Sequence, residues 1–375
     1  MGMNPSKQTA QGGNRLTRWA VLALALCGVI ESGRAADFAA GVAAYKRADY
    51  AGALAVFSDS AGRGDARAQF ALGLMVQNGE GVAANPALAL KWFGQSGEQG
   101  YAKAQYQLGL IYLKGQGVTR DDNLAREWFA RAAEAGDTDA VARYRQFAED
   151  GDIEAQYNVA LMYLRGSGIA RDPKAAAGWL QRAASRGHLG ATFAYARLFE
   201  SGRGVARSYA EAANWYDRAA GQGDARAAFN LARLYRTGQG VPQDQAKSEA
   251  LYVRAADAGY TPAALTLALL FERGEAWPKD LARAVQWYPR AAEHGNTDAE
   301  INLGCLYAEG QGVEQDLESA YAWFYAAQQL NHPRAPDNLA LVTAQLDATG
   351  IAAAQALGLQ YLQGVQTKLN VQPSH

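Results

Sequence analysis

The chain has only four histidines, two cysteines and ten prolines in 375 residues. No His-x-x-His or Cys-x-x-Cys spacing occurs, so neither a structural zinc site nor a dithiol centre is written into it. No Gly-x-Ser-x-Gly element offers a nucleophile elbow, and the Gly-x-Gly elements lack the Gly-Lys-Ser/Thr that a phosphate cradle needs. These absences point away from an enzyme and imply no catalytic residue, no cofactor and no metal. Charge is also sparse: charged residues make up 19% of the chain and the formal net charge is -1. Beyond residue 35 the balance is acidic, which excludes nucleic acid as a partner, because a polyanion demands a basic domain. After residue 30 no apolar run approaches the ~20 residues of a spanning helix, so no transmembrane segment is expected in the mature chain.

The first 35 residues differ from the rest. A basic stretch ends at Arg18, an apolar run of 12 residues follows from Trp19 to Ile30, and small residues stand at Gly33, Ala35 and Ala36. That order predicts an export signal at residues 1–35, cleaved near Ala35, and hence a periplasmic or secreted protein. Cys27 leaves with the signal and Cys305 remains alone, so the mature chain forms no intrachain disulfide and holds its shape by packing.

Hydrophobic residues make up 49% and glycine is abundant at 40 residues, a composition that excludes disorder and makes glycine a recurring turn marker. Gly-x-Gly recurs at Gly79/Gly81, Gly115/Gly117, Gly166/Gly168, Gly202/Gly204, Gly238/Gly240 and Gly310/Gly312, with a spacing of 36 that is broken once. Seven units follow, two over 65–136 and five over 152–331. Each reads as a helix hairpin. Ala104, Leu108 and Tyr112 form one stripe, and Ala125, Trp128, Phe129, Ala132 and Ala133 another, on either side of the glycine turn. Asp121, Asp172, Asp244, Asp280 and Asp316 are placed to cap the second helices, and Pro173 fits a first helical turn. The column Trp92, Trp128, Trp179, Trp215, Trp287 and Trp323 is read as packing between stacked hairpins, opposite an alanine column at Ala68, Ala104, Ala155, Ala191, Ala227, Ala263 and Ala299.

The pattern Ala-x-x-x-Leu-Gly-x-x-Tyr-x-x-Gly-x-Gly-Val-x-x-Asp, followed by Ala-x-x-Trp-Phe-x-x-Ala-Ala-x-x-Gly, stands at 104–136. It resembles the Sel-1-like repeat family, 36-residue relatives of tetratricopeptide repeats, and does so over about 250 residues in phase. Departures are Val76 in the Tyr column, Leu251 in the Trp column, Ala276 for the second loop Gly and Asn331 for the closing Gly. The resemblance implies an all-α, right-handed α/α superhelical solenoid and a non-catalytic scaffold that binds a partner protein or peptide in its concave groove. Residues 36–64 are spaced like a degenerate hairpin and are read as an N-terminal cap, and 332–375 as capping helices and tail. Residues 137–151 look like a single helix without a partner, inserted where a joint between a front segment and a five-repeat segment is expected.

The face of each first helix opposite its packing stripe should line that groove. Its polar positions include Lys103, Gln107, Asn158, Arg197, Arg226, Asn230, Arg233, Arg273 and Asn302, and Leu74, Leu110 and Leu161 add apolar groups at the front. Arg197, Arg226, Arg233 and Arg273 make the later repeats basic, which predicts an acidic or carboxylate-bearing peptide, with an anionic polysaccharide as the alternative partner. Reversal of Arg226 and Arg233 to Glu is expected to weaken capture without lowering stability. Cys305, in the same column, is read as a tolerated small residue.

Overall fold

The computed structural model describes residues 34–371, so the segment expected to be an export signal, with Cys27, lies outside the described residues except for its last two positions. Among these residues every regular element is an α-helix. The chain divides into two compact units that meet in sequence between His188 and Leu189, not at the single helix of 137–151.

The first unit contains α1 (Arg34–Lys46), α2 (Tyr50–Gly62), α3 (Ala66–Asn78), α4 (Pro86–Glu98), α5 (Ala102–Lys114), α6 (Asp122–Glu134), α7 (Thr138–Glu149), α8 (Ile153–Arg165) and α9 (Pro173–Ser185). The second contains α10 (Leu189–Ser201), α11 (Tyr209–Gly221), α12 (Ala225–Thr237), α13 (Gln245–Asp257), α14 (Thr261–Arg273), α15 (Leu281–Ala292), α16 (Thr297–Glu309), α17 (Leu317–Gln329), α18 (Ala335–Thr343) and α19 (Ala348–Val371). Within each unit successive helices pack on one another, hairpin on hairpin, as an all-α solenoid does.

Local chemistry sets the ends of these helices. Asp121, Asp172, Asp244, Asp280 and Asp316 each accept backbone N–H bonds at the start of a second helix, and Pro173 occupies the first turn of α9. First helices end where a glycine turns left-handed, as Gly115 does at φ 65°. Where Ala276 replaces the second loop glycine, Trp277 stacks on Phe271 at 5.0 Å and its indole N–H donates to the Gln245 carbonyl at 3.3 Å. Asn331 adopts φ 61°, taking the conformation of the closing glycine it replaces.

A second pairing runs through both units. The residue that follows the Trp column is Phe93, Phe129, Leu180, Tyr216, Tyr252, Tyr288 or Phe324, a ring in six of the seven repeats, and all seven are buried. Opposite each phenylalanine stands a glycine: a Cβ on Gly73, Gly109 or Gly304 would lie 2.6, 2.7 or 2.5 Å from the facing ring. Opposite Leu180 and the three tyrosines the same column holds alanine, at Ala160, Ala196, Ala232 and Ala268. The Trp column packs on the core: Trp179, Trp287 and Trp323 are at most 9% exposed, and Trp92, Trp128 and Trp215 are partly buried against it. Arg131, Arg182, Arg218 and Arg290, each three residues after a Trp, lay a guanidinium 4.4–4.9 Å from its indole centre.

Helix α7 differs from the expectation of a helix without a partner, because it packs against both α6 and α8. It is a hairpin collapsed into one helix. Its start follows the first-helix columns, with Asp137 as N-cap and Ala140 fully buried; its end follows the second-helix columns, with Tyr144 seven residues before Gly151 as Phe129 is before Gly136. At the other end α19 folds back on α17, stacking Tyr361 on Trp323 at 3.9 Å and covering the last exposed face of the repeats.

Candidate functional site

On the first-helix face of the first unit, the Lys103 ammonium lies 3.9 Å from the buried Asp137 carboxylate, and Gln107 donates to the Gln77 side-chain oxygen at 3.2 Å. Asn158 donates to the Tyr144 hydroxyl at 3.0 Å. Burial pushes that phenol up to about 12, so it is neutral in any physiological solution. Asn158 and Tyr144 also line a cleft of about 710 Å³ beside the collapsed hairpin. Its ionic groups answer one another: Arg126 pairs with Asp152, Arg186 bonds the Gly151 carbonyl, and His188 meets Glu154 at 3.0 Å. Leu74 corrects the expectation of an apolar groove front. It is 4% exposed, within the cluster that holds Phe38 and Val42 of α1, whereas Leu110 and Leu161 are half-buried.

In the second unit the arginines sit where the sequence places them, but most have partners. Arg226 forks onto Asp224, the N-cap of its own helix, at 2.7 Å and lies over the Phe193 ring. Arg233 pairs with Glu200, which also accepts the Tyr216 hydroxyl. Arg273 lies 3.5 Å from Glu275, both exposed. Asn302 donates to the Tyr288 hydroxyl at 3.3 Å, and that hydroxyl donates to Glu272. Burial first, and then the neighbouring carboxylate, hold the Tyr216 and Tyr288 phenols far above their ordinary value. Asn230 is half-buried, and Arg197 is exposed and forms no ion pair among the described residues. The face is therefore mixed in charge rather than basic. The acids and hydroxyls that make it so were missed in the sequence, although Glu200 and Glu272 stand 72 residues apart, two repeat lengths, as do Tyr216 and Tyr288.

This pairing corrects the expectation that reversing Arg226 and Arg233 leaves stability unchanged. Arg233→Glu places a carboxylate against Glu200, with both sites less than a third exposed, and should cost about 1–2 kcal/mol. Urea titration of this single variant beside the wild type checks the value; coincident midpoints would show that the ion pair carries no stability. Cys305 is half-buried, and desolvation raises its thiol pKa, which disfavours the reactive thiolate. Among the described residues no three of His, Cys, Asp and Glu gather as a metal site requires. No helix among them is long and apolar enough to cross a membrane.

Comparison with known proteins identifies seven repeats. The Sel1 repeat model matches residues 66–101, 102–137, 153–188, 190–224, 225–260, 261–296 and 297–332. Among solved structures, the chain is similar to a protective antigen of uropathogenic Escherichia coli displaying an SLR fold, at 26% identity and TM-score 0.36, covering 91% of this chain and 88% of that one. It is similar to a Sel1 repeat protein from Oxalobacter formigenes, at 28% identity and TM-score 0.49, over 91% and 98% of the two chains. Yeast Tom70 aligns at 11% identity and TM-score 0.28, over 90% and 96%. No curated protein matches the chain.

Proposed function

Because the chain belongs to the Sel1 repeat family, whose arrays mediate protein–protein interaction, we propose that it is a non-catalytic scaffold of the cell envelope that holds a partner peptide on the first-helix face of its second unit. The observation that carries this reading is Arg197, an exposed guanidinium with no internal carboxylate, on the same face as the half-buried amides of Asn230 and Asn302. A guanidinium fork binds a carboxylate bidentately, and neighbouring amides can hold extended backbone, so an acidic peptide suits the site. Arg273 adds a second cation held only by an exposed pair, the weakest kind. An anionic polysaccharide fits less well, since a polyanion would have to displace Asp224 and Glu200 from Arg226 and Arg233. The envelope placement rests on the basic and apolar segment before residue 36.

The test is affinity capture from an envelope extract with residues 36–375, beside an Arg197→Glu/Arg273→Glu variant. Both positions are exposed, so the variant should keep the wild-type unfolding midpoint to within about 0.5 kcal/mol. A protein retained by the wild type and lost by the variant supports the groove. Equal retention by both removes it, and retention of anionic glycan alone replaces peptide by polysaccharide.

A further inference from the structure

Glu300 on α16 is a charged residue type in a fully buried position, 0% exposed. Neither carboxyl oxygen has a hydrogen-bond partner. The repeat explains the position. The equivalent residues in the first three repeats are Gln69, Gln105 and Gln156, and each side-chain amide donates to a backbone carbonyl eight residues earlier: Ala61 at 3.2 Å, Gly97 at 2.9 Å and Ala148 at 3.0 Å. Each of those carbonyls lies at the end of the preceding helix and also accepts a turn N–H, from Gly64, Gly100 and Gly151. For Glu300 the matching acceptor is Ala292 at the end of α15, whose carbonyl accepts the Gly295 N–H at 2.8 Å in the same way.

A carboxylate cannot make this bond, because it has no proton to give. A carboxylic acid can, being nearly the same size and shape as the glutamine amide. The second oxygen of the column needs no partner, since the side-chain oxygens of Gln105 and Gln156 are buried without one too. In the first repeat Gln99 does donate to Gln69, at 2.6 Å, but the residue equivalent to Gln99 beside Glu300 is Leu330.

We propose that Glu300 stands in the folded protein as a neutral carboxylic acid donating to the Ala292 carbonyl, and that its ionisation loosens the seam between α15 and α16, making the last repeat a pH-sensitive joint. Several ionisable groups on the packed elements are engaged elsewhere. On α15 and its turn, Arg283 pairs with Glu249, Tyr288 with Glu272, Arg290 with Asp257 and Glu293 with Lys368. On α16, Asp298 meets His332 and Arg334; on α17, Tyr321 bonds Gln355. His294, Cys305, Tyr307, Glu309, Glu318 and Tyr325 complete the set on these elements, and no charge among all of them acts on Glu300. Burial alone pushes its carboxyl up to about 8 from an ordinary 4.5.

The direction follows from proton linkage. The folded state holds a proton that the unfolded state releases near 4.5, so the contribution of Glu300 is complete below that value, declines as pH rises towards about 8, and is flat above it. Repeat arrays are stabilised by nearest-neighbour interfaces, so the loss should fall on the segment from α16 onward rather than on the whole chain.

Hydrogen exchange of the folded full chain between about pH 5 and about pH 9, corrected for intrinsic exchange, tests this. Protection of α16 and α17 amides should fall by up to about tenfold for each pH unit up to about pH 8 and level off above it, while α12 and α13 hold theirs. Glu300→Gln, the residue used in three other repeats, should abolish the fall; Glu300→Ala, matching Ala228 and Ala264, is the second variant should the first fold poorly. The carbon-13 shift of the Glu300 carboxyl in the native protein should report the acid form at about pH 6. An ionised carboxyl there, or a pH dependence unchanged in Glu300→Gln, overturns the proposal.

Discussion

Replacing Gly312 by alanine is expected to destabilise the second unit by about 3–5 kcal/mol. Two costs combine. Gly312 has φ 74°, a left-handed conformation that a side chain adopts only with strain. Its missing Cβ also matters: one added there would lie 2.4 Å from the Leu281 carbonyl carbon and 2.6 Å from its oxygen, at the start of α15. Backbone cannot rotate away as a long side chain can, so the α16–α17 loop would have to lift off the preceding hairpin. The second glycine of the Gly-x-Gly element thus sets how closely one repeat stacks on the last, while the first ends a helix. Gln311→Ala, at the exposed position between the two glycines, should change stability by less than about 0.5 kcal/mol. Urea denaturation of both variants decides the matter: equal midpoints would mean that the loop adjusts freely and that close stacking is not what the glycine provides.

The second large effect concerns the ring that faces a glycine. Gly304→Ala would bring a methyl group to 2.5 Å from the Phe324 ring and should cost about 2–3 kcal/mol through overpacking. Phe324→Leu alone should cost about 1–2 kcal/mol, because it leaves a gap where the ring was. The double variant recreates the Ala160/Leu180 combination of the third repeat, so it should recover at least about 1 kcal/mol of the summed loss. A double-mutant cycle measures this coupling. Strict additivity would show that the alternation of Gly with Phe and Ala with Leu or Tyr is incidental to packing.

Much of the architecture was legible in the residues. Asp121, Asp172, Asp244, Asp280 and Asp316 form the caps expected of them, and first helices end at the first glycine of each loop. These features are local: a cap involves residues two or three apart, and a glycine turn depends on its own φ. The single helix at 138–149 was visible too, but not its double allegiance, because a helix start and a helix end look alike whether or not a loop has been deleted between them.

The candidate site was legible only as positions on a helix face. Arg197 stands three residues before Glu200 on the same helix, yet Glu200 pairs with Arg233 of the next repeat, 33 residues away in sequence. Asn158 and Asn302 reach tyrosine hydroxyls 14 residues earlier. A helical wheel places a side chain on a face, but it does not say what the preceding helix offers to it.

The sequence alone determined the repeat length, the seven hairpins, their caps and the alanine and tryptophan columns, because helical period and capping act over a few residues. Tertiary structure alone decided which groups of the exposed face remain available, that Leu74 is buried, that α7 serves both neighbours, and that Glu300 is fully buried. Those outcomes depend on side chains contributed by an adjacent hairpin, and packing, not local periodicity, brings them into reach.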